Sequence, residues 1–139
     1  MPENTLTFSF VIPVFNEEEN LSELHRRIAE VLDRLEGSAE VIFVDDGSSD
    51  RSASIIADLH DIDPRVNLVQ FSRNFGHQTA VTAGLDFSKG EAVIVMDADL
   101  QDPPEIVLEM VERWKEGYDI VYAVRDKRDH ESFLMSWAR

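Results

Sequence analysis

Short apolar runs alternate along this chain with longer stretches in which apolar and polar residues recur every three or four positions. The runs fall at Phe8–Val14, Glu40–Val44, Val66–Phe71, Ala92–Met96 and Ile120–Val124. Each has strand length, and several are apolar nearly throughout, the pattern of parallel strands covered on both faces. Between the first two runs, Leu21, Leu24, Ile28, Leu32 and Leu35 form one helical stripe. Asn16, with Glu19 three residues on, predicts a capping box at its start, and Gly37 predicts its end. A second helix is expected through Ile55, Ile56 and Leu59, with a serine as its cap and a stop before Pro64. A third covers about 78–87 and ends near Gly90. The fourth opens on Asp102-Pro103-Pro104-Glu105, where Asp102 suits the N-cap, proline the first turn and Glu105 the box. Its buried face is Ile106, Val107, Met110, Val111 and Trp114, and Gly117 closes it. The tail 125–139 is charged and then apolar at Phe133, Leu134 and Trp137, which reads as a further helix.

The order β-α-β-α-β-α-β-α-β implies an α/β fold: a mainly parallel sheet with helices on both faces and right-handed crossovers. Ligands of such sheets bind beyond the carboxyl ends of the strands. The 139 residues suit one domain, with a core over 6–128 and a tail at 129–139, and 43% hydrophobic content allows a packed interior. No repeat, low-complexity tract or interdomain linker interrupts the alternation.

Charge changes the picture mainly by exclusion. With 28 acidic residues against 13 basic ones the net charge is −15, which argues against a nucleic-acid partner. Absence of cysteine excludes disulfides and thiolate metal sites. The first residues lack the basic start and apolar run of a signal peptide, and the longest apolar runs are far below the roughly 20 residues of a membrane span.

Polar clusters follow the strands directly, so they are expected to meet along one edge of the sheet. The first is Pro13-Val14-Phe15-Asn16-Glu17, where acids also favour the coming helix and a proline at a strand end can free a carbonyl. In the second, Val44-Asp45-Asp46-Gly47-Ser48-Ser49-Asp50, adjacent carboxylates require a donor or cation for at least one of them. Gly47 and the serines are equally explained by a tight turn. The third, Asp97-Ala98-Asp99-Leu100-Gln101-Asp102, offers oxygen ligands suited to Mg²⁺ or Mn²⁺ shared with substrate phosphates, or else a plain polar turn. After the third strand, Phe71-Ser72-Arg73-Asn74-Phe75-Gly76-His77-Gln78 brings two cations, Arg73 and His77, toward a helix start where phosphate oxygens could lie. His25 and His60 fall in helical patterns and His130 in the charged tail, where structural roles fit best. A Gly-x-Gly-x-x-Gly, a Walker-type loop, a Gly-x-Ser-x-Gly elbow and a zinc-spaced histidine pair are all absent.

Taken as Val11–Glu17, Val44–Asp50, Phe71–Gln78 and Met96–Glu105, these four segments resemble glycosyltransferase family 2, of the GT-A fold. The last two resemble its polyprenyl-phosphate branch, with dolichol-phosphate mannosyltransferases and bacterial undecaprenyl-phosphate glycosyltransferases. The resemblance covers about residues 6–128. It implies that Pro13, Phe15, Glu17, Val44 and Asp46 hold the nucleoside of a UDP- or GDP-sugar. It implies that Asp97, Ala98, Asp99 and Gln101 hold the diphosphate, with Asp97, Asp99 and Gln101 as ligands of Mg²⁺ or Mn²⁺ and Asp99 in the catalytic position. Arg73, His77, Arg125 and Arg128 become candidates for phosphate or acceptor contacts. The implied reaction is inverting transfer of the sugar to a polyprenyl phosphate, at the cytoplasmic face of a membrane that a longer family member would engage. Family members continue well past position 139, so a truncated chain that binds nucleotide-sugar without transferring it is the alternative. A sugar nucleotidyltransferase would need a Gly-rich loop after the first strand, and Pro13–Glu17 supplies none.

Overall fold

The computed structural model describes residues 6–125 and 133–138. Four strands, β1 (Phe8–Val14), β2 (Ala39–Asp45), β3 (Val66–Gln70) and β4 (Ala92–Val95), form a wholly parallel sheet in the order β3-β2-β1-β4. Helices α1 (Leu21–Arg34), α2 (Ser52–Ile62) and α3 (His77–Phe87) connect them, and α4 (Ile106–Lys115) follows β4. The chain steps outward from β1 to β3, then returns to lay β4 on the other side of β1. Right-handed crossovers therefore place α1 and α2 on one face and α3 on the other.

Side-chain alternation builds the two layers. Phe8, Phe10, Ile12 and Val14 of β1, with Val41 and Phe43 of β2, pack against Leu21, Leu24, Ile28 and Val31 of α1, Ile56 of α2, and Val107 and Val111 of α4. Phe8 meets the edge of Trp114 at 5.7 Å between ring centroids. The intervening residues Ile42 and Val44 face α3 through Ala80. On that side β1 and α3 approach so closely that a Cβ on Gly84 would stand 2.2 Å from Cγ1 of Val11. No helix among the described residues is long and apolar enough to cross a membrane.

The four parallel strands and the helical stripes lie where periodicity puts them, but the ends differ. α1 starts at Leu21, not after Asn16, because Asn16 is committed to another loop; Asn20 occupies the N-cap without a side-chain cap bond. At α2 no serine caps: Asp50 Oδ1 accepts from the Ser52 amide at 2.9 Å. α4 starts three residues later than a cap at Asp102 requires. The two prolines lead into a tight turn, with Ile106 N donating to Pro103 O, and Glu105, at the N-cap, pairs instead with Arg27 of α1 at 2.6 Å. The larger corrections concern the last segments. β5 (Ile120–Arg125) does not join the parallel sheet, and 133–138 is not a helix but strand β6 (Phe133–Ala138), antiparallel to β5. The spacing of Phe133, Leu134 and Trp137 reads as helical locally, yet a ladder with β5 satisfies the same backbone groups.

Candidate functional site

β1 is where the strand order reverses, and beyond its carboxyl end the sheet opens. Register pairs Phe8–Val11 with Ala92–Val95, and Met96 N donates to Val11 O as the last bond of that ladder. Pro13 comes just after, where its missing N–H costs no ladder bond on the β4 side. On the β2 side pairing runs further, to Val14 O accepting from Asp46 N at 2.8 Å. The crevice so formed is a cavity of about 410 Å³ lined by Pro13, Val14, Phe15 and Glu17 after β1, Asp46 after β2, Asn74, Gly76 and His77 before α3, and Asp97, Ala98 and Asp99 after β4. The strand-end clusters expected to converge do converge, and the position is the switch point where open α/β sheets bind ligands.

The carboxylates of Asp45 and Asp46 avoid each other by the pleat of β2. Asp46, 4% exposed, turns toward the α3 side, where Oδ1 accepts from Phe75 N at 2.7 Å and Oδ2 from Gly76 N at 3.1 Å. One of the adjacent acids thus meets backbone donors, as its position requires, and in doing so it holds the loop that carries His77. Gly47 secures the same loop: its φ is 70°, and a Cβ there would lie 2.3 Å from the carbonyl carbon of Arg73. Asp45, buried beneath the serines, accepts from Ser48 N at 3.3 Å.

Asn16 has a role the sequence hid. Its φ of 53° is left-handed, a region asparagine tolerates. Its Oδ1 accepts from Ser49 N at 2.9 Å and Asp50 N at 3.3 Å. In return its own amide donates to Ser48 Oγ, and Glu17 N to Ser52 Oγ, both at 2.9 Å. Burial raises the Asp50 carboxyl, but hydrogen bonds from Ser52 and from the Glu18 amide outweigh it and leave the group below its usual range. Leu100, at φ 63°, is the other non-glycine residue in this conformation among the described residues and turns the chain just after Asp99. Neither conformation was legible from composition or period.

Asp97 is half exposed, with Oδ1 4.0 Å from His77 Nε2, and Asp99 Oδ1 accepts from Gln101 N at 3.1 Å. Gln101 is exposed and does not line the cavity. Val44 is fully buried behind it, against α3. Arg73 lies outside the lining, its guanidinium 3.9 Å over the Phe75 ring. Arg125 ends β5, and Arg128 and His130 fall outside the described residues. His25 pairs with Asp63 at 2.9 Å and His60 contacts Val66 O, the structural roles expected of them.

Electrostatically the cavity is one-sided. Among the described residues four carboxylates, of Glu17, Asp46, Asp97 and Asp99, line it with His77, and no Lys or Arg does. An anionic ligand there needs a cation between itself and these acids. Among the described residues no three His, Cys, Asp or Glu groups already converge on a metal-sized point. Mg²⁺ and Mn²⁺ do not require that, since one or two carboxylates plus ligand phosphates are a usual set, so Asp97 and Asp99 fit such an ion.

A parallel α/β sheet with an acidic cleft at its switch point is of the class that binds ligands beyond the carboxyl ends of its strands. The chain belongs to glycosyltransferase family 2, whose family model, "Glycosyl transferase family 2", matches residues 9–139. It is 55% identical over 129 residues to the uncharacterized glycosyltransferase YkcC of Bacillus subtilis, covering 93% of this chain and 40% of that protein. It is 44% identical to undecaprenyl-phosphate 4-deoxy-4-formamido-L-arabinose transferase of Edwardsiella ictaluri, covering 90% of this chain and 39% of that one. The chain therefore spans about two fifths of the length of these relatives. Among solved structures it resembles the mannosyltransferase PcManGT of Pyrobaculum calidifontis in complex with GDP-Man and Mn²⁺, with a TM-score of 0.76 at 24% identity, over 93% of this chain and 38% of that one. The fold is that of the GT-A glycosyltransferases.

Proposed function

We propose that this chain carries the donor-binding part of a metal-dependent, inverting glycosyltransferase that moves a sugar from a UDP- or GDP-sugar to a polyprenyl phosphate. The observation that carries the reading is the convergence of the β1, β2 and β4 ends on one acidic cavity at the switch point. Phe15 offers an exposed ring to a nucleobase, and Glu17 and Asp46 offer acceptors to its N–H groups or to ribose hydroxyls, with Pro13 beside them. Val44 supports this wall from behind. Asp97 and Asp99, with the Ala98 backbone between them, take the diphosphate side. Both carboxylates would hold Mg²⁺ or Mn²⁺, with Gln101 as a further oxygen ligand if its loop turns inward. The ion, when bound, supplies positive charge against the charge that builds on the departing diphosphate. Asp99 is the catalytic residue in this scheme because it stands at the reacting diphosphate. A phosphate monoester acceptor is already largely ionised near neutral pH, so the nucleophile needs no strong general base. His77, beside Asp97, is a candidate for contact with phosphate oxygens, and Arg125 and Arg128 are candidates for the acceptor phosphate.

The relative that takes undecaprenyl phosphate supports the acceptor class, and the neighbour bound to GDP-Man and Mn²⁺ supports the donor class. On this reading transfer takes place at the cytoplasmic face of a membrane, the surface at which a lipid acceptor and a nucleotide donor can meet. A second reading, donor binding without transfer, is favoured by one observation: Arg73 stacks on Phe75 and does not line the cavity, leaving the acceptor side short of cations among the described residues. Incubation with a radiolabelled nucleotide-sugar, Mn²⁺ and polyprenyl phosphate separates the two. Label moving into the lipid phase supports transfer; donor binding with no labelled lipid supports the second reading.

A further inference from the structure

We infer that Asn16 is a positioning residue that sets the nucleoside wall of the cavity by clasping two strand-end loops together; this rests on the donor-site reading above. Its neighbours in sequence, Phe15 and Glu17, both line the cavity, whereas Asn16 does not. Its side chain faces the other loop. Oδ1 accepts from Ser49 N, Ser49 Oγ and Asp50 N at 2.9, 3.4 and 3.3 Å. The bonds are reciprocal: Asn16 N and Glu17 N donate to Ser48 Oγ and Ser52 Oγ, Glu18 N donates to Asp50 Oδ2 at 3.2 Å, and Arg51 N donates to Glu18 Oε2 at 3.1 Å.

Such a clasp has a geometric consequence. At Asn16, held at φ 53°, the side chains before and after serve the cavity while its own serves the neighbouring loop. The clasp then continues. The β2–α2 loop that Asn16 grips begins with Asp46 and Gly47, which hold the Arg73–Gly76 segment by hydrogen bonds and close approach. Three of the four walls of the cavity are thereby fixed relative to one another before any ligand arrives, and preorganisation of this kind raises affinity by reducing what must be ordered on binding.

Two substitutions separate the clasp from the backbone conformation. Glycine adopts φ 53° without strain but has no acceptor, so Asn16→Gly removes the Oδ1 bonds of the clasp and leaves the backbone conformation accessible. Aspartate tolerates the same conformation and keeps an oxygen where every one of these bonds is donated to oxygen, so Asn16→Asp is the conservative rescue. Asp63→Asn, at the opposite end of the sheet in the Arg65–His25 network, is the control for a general loss of stability. The experiment is calorimetric titration of the whole chain with UDP and with GDP in the presence of Mn²⁺. The expected result is at least tenfold weaker nucleotide binding for Asn16→Gly, with Asn16→Asp and Asp63→Asn within threefold of the wild type. Wild-type-like affinity in Asn16→Gly, equal losses in Asn16→Asp and Asn16→Gly, or an equal loss in Asp63→Asn overturns the positioning role while leaving the donor site standing. If the folded wild type binds neither nucleotide, the donor-site reading itself fails and the inference falls with it.

Discussion

Replacing Asp46 gives the sharpest test of how the cavity is held. Its carboxylate is 4% exposed and accepts from two backbone amides, Phe75 N at 2.7 Å and Gly76 N at 3.1 Å. A hydrogen bond to a charged group contributes about 1.5–3 kcal/mol, and orphaning a part-buried amide costs a further fraction. Asp46→Ala removes both bonds, but the two amides lie near an open cavity and water recovers part of the loss. The expected destabilisation is about 3 kcal/mol, a large share of the roughly 5–15 kcal/mol typical of a domain. Asp46→Asn keeps the Oδ1 bond to Phe75 and sets an NH₂ group against the Gly76 amide, so about 1–2 kcal/mol is expected. Urea unfolding followed by circular dichroism reads both values. Amide hydrogen exchange localises them, with faster exchange expected at Phe75 and Gly76 and little change in the β1–β2 ladder. If Asp46→Ala loses less than about 0.5 kcal/mol, the size of a surface substitution, the carboxylate does not hold this loop.

Three further outcomes follow from the same contacts. Gly84→Ala drives a methyl group to within 2.2 Å of Val11 Cγ1 and should cost about 1–3 kcal/mol of overpacking, partly offset by about 1 kcal/mol of helix propensity; in urea melts Val11→Ala should restore part of the loss in the double variant, and a Gly84→Ala protein as stable as the wild type contradicts the packing. Asp63 is held well below the usual carboxylate range, first by its hydrogen bond to Arg65 and also by His25, against the opposing effect of burial. A lowered folded-state value means its contribution is fully present above the unfolded value of about 4 and is lost as pH falls further, so Asp63→Asn should be less stable by about 2 kcal/mol at pH 7 and the gap should narrow below pH 4 in thermal melts. Asp99→Ala should leave the fold intact, because the bond Asp99 accepts from the Gln101 amide lies at the cavity rim, and should remove any effect of Mn²⁺ on nucleotide binding; a full metal effect in that variant removes Asp99 from the ligand set.

The fold was legible where residues are buried on regular periods. β1 is apolar on both faces because helices cover both, and the α1 stripe is its buried side. The convergence of the polar clusters was legible too, since parallel strands all present their carboxyl ends at one edge. What was hidden depends on contacts across loops. Asn16 and Asp102 both satisfy the rule for a helix cap, but Asn16 is drawn away by amides more than thirty residues on, and Glu105 by Arg27. The same short range of sequence rules explains the tail, where 133–138 takes the conformation of its ladder partner β5. Within the site, the positions of Asp97 and Asp99 followed from the end of β4, whereas the exposed setting of Gln101 depends on the left-handed turn at Leu100, which no period encodes.

In the proposed donor site an acidic cleft holds an anionic donor through a divalent ion. Calorimetric titration of the folded chain with GDP- and UDP-sugars, with Mn²⁺ and then with a chelator, tests it most directly. Binding of one of these donors in Mn²⁺ is expected, with at least a tenfold loss of affinity in the chelator, because the carboxylates of Glu17, Asp46, Asp97 and Asp99 then face the diphosphate unscreened. Equal affinity with and without the ion, or no binding of either donor by folded protein, contradicts it.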